Sequence, residues 1–161
     1  MGSYSLDTIL PRPGMYFEEF RTGLRLMTAA RTVTETDLVN FAGITGDWNP
    51  LHTDAAFAAK SMFGERIAHG VLGFALASGL AARLGILDGT AIAAYGIDEW
   101  RFLKPVCIGD TLRVLIEVAA LEPVPRLRGG KVALRLVVLN QRDEEVQRGL
   151  VSVGVLSRPP E

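Results

Sequence analysis

His69-Gly70-Val71-Leu72-Gly73-Phe74-Ala75-Leu76-Ala77-Ser78-Gly79-Leu80-Ala81-Ala82 is the stretch on which the fold turns. From Val71 to Ala82 it carries no charge. It is too short to span a bilayer, and a helix that is apolar all round is a buried helix. Gly73, Ala75, Ala77, Ser78 and Gly79 are small, although glycine costs helix stability. Small residues at this density suit a helix around which a sheet must wrap closely. Arg83 and Gly85 mark its end. The expectation is one long central helix held in a curled antiparallel sheet, an α+β arrangement.

The sheet is legible downstream. Ala91 to Lys104 reads as a long strand with an irregularity near Gly96. Leu112, Val114, Ile116 and Val118 alternate with polar residues, a period of two that Val132, Leu134, Leu136 and Val138 repeat. Arg126 to Gly130 reads as a mobile hairpin end and Asn140 to Glu144 as a turn. Val146 to Leu156 is the last strand, with Gly149 a bulge position. Upstream, Leu24 to Val33 is a first strand, and residues 1–13 read as an extended N-terminal arm. Thr34 and Asp37 form a capping-box pattern for a helix ended by Gly43. Thr53 or Asp54 caps a second short helix, Ala55 to Lys60, with Gly64 past its end.

Between those two helices lies Gly46-Asp47-Trp48-Asn49-Pro50-Leu51-His52. Proline keeps the preceding residue out of helical geometry, so the chain bends here. A bend can bring Asp47 and His52 to one point, and a carboxylate with an imidazole in a cleft can move protons. The competing reading of the spacing is that Asp47 caps a turn and His52 packs on the next helix. Gly70 precedes the apolar helix, so its N–H is a free donor at a partially positive helix start. Glycine there also lets a ligand approach closely, or only permits tight packing.

Composition narrows the classes. The chain has 161 residues, 48% hydrophobic and 22% charged, which suits a single domain over 1–161. A net charge of −1 gives no basic field for nucleic acid or an anionic membrane. One cysteine excludes an internal disulfide and a multi-thiolate metal site, and two histidines show no zinc-motif spacing. No signal-peptide pattern opens the chain, so the expected setting is cytoplasmic. Cys107 reads as packing, and Tyr95 and Trp100 as core or interface aromatics.

Asp47-x-Asn49-Pro50-Leu51-His52, followed by a short helix and by His69-Gly70 opening an apolar run, resembles the MaoC-like family, which includes the R-specific enoyl-CoA hydratases of hot-dog fold. Gly14 to Phe20 with Gly23, and Trp100 to Val106 with Gly109-Asp110-Thr111-Leu112, are also similar to that family, so the likeness runs from about Gly14 to Leu156. The resemblance implies a hot-dog fold in which residues 34–66 form an overhang carrying the catalytic loop. It implies that Asp47 and His52 hold the catalytic water, that the thioester carbonyl sits on the Gly70 amide, and that Ser78 helps hold the dyad. Ser78 could equally bond back to its own helix. Asn49 matches the family's asparagine, orienting water or loop, or is simply an Asx turn. His69 is expected to be structural, capping the helix or bonding to the loop.

The activity so implied is reversible hydration of trans-2-enoyl-CoA to (3R)-3-hydroxyacyl-CoA. No metal or redox cofactor is implied, and coenzyme A, less often acyl carrier protein, is the substrate's handle. Lys104, Arg101, Arg66 and Lys60 are cationic candidates for its phosphates. A homodimer or higher homo-oligomer is expected. The alternatives are a hydratase for branched or dicarboxylic substrates such as mesaconyl-CoA, a hot-dog thioesterase, or a non-catalytic binding protein, against which the intact Asp47, His52 and Gly70 set argues. Trp48 stands between Asp47 and Asn49, where many relatives carry a smaller or different residue.

Overall fold

In a computed structural model that describes residues 14–160, the alternating segments build one antiparallel sheet. Strand β4 (Thr111–Val124) buries Leu112, Val114, Ile116 and Val118, and β5 (Gly129–Leu139) buries Val132, Leu134, Leu136 and Val138. Burying each such side chain stabilises by about 1.5–3 kcal/mol. A one-residue slip would turn the whole set to solvent, so register is firmly specified. With β1 (Arg25–Met27), β2 (Arg31–Thr32), β3 (Ala91–Phe102) and β6 (Glu145–Leu156), the order is β1-β4-β5-β6-β3, and β2 also pairs with β4. The expected arm at 1–13 lies outside the described residues.

Helix α4 (Gly70–Ala82) packs Leu72, Gly73, Ala77 and Leu80 against the sheet. The expectation of burial all round is corrected. Val71, Ala75, Ser78, Gly79 and Ala82 are exposed, because the sheet of one chain covers only one side of the helix. Strand β3 is a free edge, and Tyr95, Ile97 and Phe102 on it are about half exposed. Its register shifts between Ala94 and Gly96, as anticipated, and again between Asp98 and Arg101, where Glu99 takes a left-handed φ of 51°.

Several boundaries differ from the sequence reading. Leu24–Val33 is two short strands interrupted at Thr28, whose hydroxyl accepts a hydrogen bond from Val114 N. Helix α1 (Glu35–Thr45) has the expected Thr34/Asp37 capping box but runs through Gly43 and ends at Gly46, which holds the left-handed φ of 75°. Gly43 is tolerated inside because a helix accepts glycine at modest cost. His52 lies not in open loop but on a one-turn helix, α2 (Pro50–Thr53), and α3 (Ala55–Ala58), capped by Asp54, is shorter than expected. Gly149 pairs regularly with Leu136 on β5, but toward β3 it stands opposite the irregularity between Asp98 and Arg101, so the bulge expected here lies on the facing strand. A Cβ at Gly149 would overlap the Trp100 ring, which explains the glycine. The hairpin end expected at 126–130 is a 3-10 turn at Pro125–Leu127 followed by Arg128 at a positive φ of 48°, and β5 already begins at Gly129. The aromatic strip of 14–20 crosses the end of the sheet: Gly14 N and Met15 N bond to Asp88 O and Ile86 O, and Phe20 is buried in the core.

Candidate active site

The bend after α1 is built from its own polar side chains. Asp47 N donates to Thr45 Oγ1 at 3.2 Å, and Asn49 N donates to Asp47 Oδ1 at 3.2 Å. Asn49 Oδ1 accepts from Leu51 N at 3.0 Å and caps α2. Asn49 therefore occupies the Asx-turn role and shapes the loop. Pro50 at the first helical position is pre-set for the turn that presents His52.

His52 Nδ1 lies 2.7 Å from Ile67 O. A carbonyl can only accept, so Nδ1 carries a proton, and in the neutral ring Nε2 holds the lone pair. His69, the N-cap of α4, makes no side-chain cap bond. Its Nε2 donates instead to Asp47 O at 2.9 Å, tying the helix start to the loop. The His52 and His69 rings face each other at 3.8 Å with planes 30° apart. A carboxylate oxygen of Asp47 and one nitrogen from each imidazole all lie within 4.8 Å of one another. The structure thus brings Asp47 and His52 together, and it adds His69 as a clamp. His69 is 3% exposed and its Nδ1 has no partner.

These three residues are also the donor set that could hold a cation. One nitrogen of each ring bonds to a backbone carbonyl, which orients the ring and leaves the other nitrogen free.

Gly70 is the first residue of α4, and a cavity of about 340 Å³ is lined by His52, Gly70, Phe102, Lys104 and Gln147 among others. A Cβ at Gly70 would press against the Phe102 ring at 3.0 Å, so the backbone is approached closely here. Gln147 was not anticipated. It is 2% exposed, donates to Gly70 O at 3.0 Å and accepts from Trp100 Nε1 at 3.2 Å. No periodic signal marks it, because Val146 and Gln147 are buried in succession.

Ser78 lies farther along the same helix. It is exposed on α4, roughly 12 Å along the axis from Gly70, and lines a separate apolar cavity of 170 Å³ with Phe74, Ala81, Val151 and Val153. Of the cationic candidates, Arg66 pairs with Glu35 at 2.6 Å and Lys104 with Glu144 at 2.8 Å. Lys104 also lines the His52 cavity. Burial, with Glu65 and Asp110 nearby, pushes the Cys107 thiol up to about 11, in keeping with packing rather than chemistry. Among the described residues, no helix is long and apolar enough to cross a membrane.

Comparison with known proteins adds the family. The chain is 46% identical over 99 residues to Protein MaoC of Klebsiella aerogenes, covering 62% of this chain but only 29% of that relative. It is 41% identical over 112 residues to a 3-hydroxybutyryl-CoA dehydratase of Methylorubrum extorquens, covering 70% of this chain and 69% of the relative. An (R)-specific enoyl-CoA hydratase of Rhodospirillum rubrum is 36% identical over 108 residues, covering 67% and 72%. Among solved structures, the MaoC-like dehydratase from Rhodospirillum rubrum superposes with a TM-score of 0.81 at 32% identity, over 91% of this chain and all of that one. A double-hotdog protein of Mycobacterium tuberculosis, 22% identical, shares the fold with a TM-score of 0.81 over 92% of this chain and 46% of that one. The fold is a hot-dog, as expected. Residues 21–139 match the family model described as MaoC like domain, and the chain belongs to the MaoC-like dehydratase family.

Proposed function

We propose that this protein is a hydro-lyase that adds water reversibly to trans-2-enoyl-CoA, giving (3R)-3-hydroxyacyl-CoA. The observation that carries the reading is the Asp47–His52 convergence, with His52 Nδ1 spent on Ile67 O and Nε2 left as a base. A water between the Asp47 carboxylate and His52 Nε2 gives up a proton to the imidazole as its oxygen bonds the β-carbon. The displaced π electrons move to the thioester oxygen, where the Gly70 N–H stabilises the charge. The enolate then collapses and takes the proton back at the α-carbon, with Asp47 steadying the imidazolium in between. Holding the water on one side of the enoyl plane supplies stereochemistry together with rate.

An uncharged acyl group is favoured over a dicarboxylic one. The cavities beside His52 and beside Ser78 are lined mainly by apolar residues, and the lysine that lines the first, Lys104, is already paired with Glu144 and so is not free for a second carboxylate. The free β3 edge, the half-exposed Tyr95, Ile97 and Phe102, and the bare face of α4 support a homodimer that covers them.

The dyad is tested by substitution. Asp47→Asn and His52→Ala should each lower kcat for enoyl-CoA hydration by roughly a hundredfold or more. The double variant should be scarcely worse than the poorer single one, because the two groups act as a unit. Near-normal turnover by either single variant contradicts the assignment.

A further inference from the structure

We propose that Gln147, fixed in orientation by Trp100, is a positioning residue for the thioester-binding amide of Gly70; this rests on the hydration reading above. Gly70 opens α4 without a side chain, and glycine leaves both backbone torsions loose. A donor aimed at a developing oxyanion must instead be held still before the reaction begins. Gln147 supplies a restraint from another element by fixing the Gly70–Val71 peptide, and so the ψ of Gly70, next to the peptide that carries the Gly70 N–H. Its Nε2 donates to Gly70 O at 3.0 Å, joining the helix start to β6.

The amide cannot turn over without loss. Indole Nε1 is only a donor and a carbonyl only an acceptor, so Trp100 must face Gln147 Oε1 and Gly70 O must face Nε2. Both contacts are present, at 3.2 and 3.0 Å. The surroundings are shaped to admit the relay. A Cβ at Gly73 would overlap Gln147 Nε2, and one at Gly149 would overlap Trp100. The register shift between Asp98 and Arg101 brackets Trp100, whose ring packs edge-on to Phe74 at 4.6 Å. Two glycines and a bulge accommodate one buried amide, and that amide lines the cavity shared by His52 and Gly70.

The test separates positioning from simple structural support by using two unreactive ligands. Butyryl-CoA carries the thioester oxygen, and S-butyl-CoA, its thioether counterpart, lacks it. In the unaltered protein, calorimetry should find butyryl-CoA bound more tightly. Gln147→Met should weaken butyryl-CoA by about tenfold, the worth of one well-placed hydrogen bond, and leave S-butyl-CoA within about twofold. Its kcat for crotonyl-CoA should fall by about tenfold or more. Trp100→Phe keeps an aromatic ring against Phe74 but frees the amide to turn, so it should shift butyryl-CoA in the same direction by less. That variant carries the test if Gln147→Met does not fold. Equal weakening of both ligands, or of neither, overturns the proposal. Loss of the inference alone is recognised when the unaltered protein discriminates and hydrates while the variants do so equally well. If the unaltered protein neither discriminates nor hydrates, the underlying reading has failed.

Discussion

Gly73→Ala is a substitution whose sign is reversed by one contact. In an isolated helix, alanine for glycine gains about 0.5–1 kcal/mol. Here the new methyl would overlap Gln147 Nε2 and lie 2.9 Å from its Cδ. Gln147 is buried and bonded at both ends, so it is not a loose side chain that can swing away. Overpacking costs about 1–3 kcal/mol, and the two displaced hydrogen bonds add about 1 kcal/mol each. Set against the helix gain, the net destabilisation is about 3 kcal/mol. For a chain of this size that lowers Tm by roughly 6–12 °C, read by circular dichroism at matched protein concentration. The same variant should lose hydration rate, since Gly70 O is released. A Gly73→Ala protein as stable as the parent, or more so, would refute the packing argument, because only the Gln147 contact makes the substitution unfavourable.

Asp37 and Cys107 offer independent checks. Burial of the Asp37 carboxylate, which alone would raise its pKa, is outweighed by the Arg31 guanidinium and the Thr34 N–H and hydroxyl, and the group is held below its ordinary value. The associated stability is therefore present above the usual carboxylate range and lost as pH falls through the lower folded value. Asp37→Asn should cost about 1 kcal/mol at neutral pH, and the gap to the parent should close on acidification; a pH-independent gap in urea titrations contradicts this. With its thiol up at about 11, Cys107 should be roughly one part in a thousand thiolate at pH 8. Iodoacetamide should label it far more slowly in the folded protein than in guanidinium, and equal rates would show that the burial argument is wrong.

Much of the fold was legible because it rests on periodic burial. The alternation in β4 and β5, the capping box at Thr34 and the small-residue helix α4 each express a local rule that the tertiary structure obeys. Asp47 and His52 were legible because Asn49-Pro50 announces the bend that joins them. Features set by distant contacts were not legible. Nothing local shows that Gly46 rather than Gly43 ends α1, because both glycines are permitted and only the chain's onward path selects one. Nor does spacing show that His69 reaches Asp47 O, 22 positions back, or that Gln147 meets Gly70, 77 positions away. The open face of α4 was missed for a related reason: an apolar helix face looks the same in sequence whether its own sheet covers it or is absent.

The central claim is that a water held by Asp47 and His52 attacks one face of an enoyl thioester pinned at Gly70. Incubating the unaltered protein with crotonyl-CoA and reading the product with stereospecific 3-hydroxyacyl-CoA dehydrogenases tests it most directly. The proposed geometry, with relatives named (R)-specific enoyl-CoA hydratase, predicts 3-hydroxybutyryl-CoA that an R-specific dehydrogenase oxidises and an S-specific one leaves untouched. A racemic or S product, or no hydration at all, would contradict it.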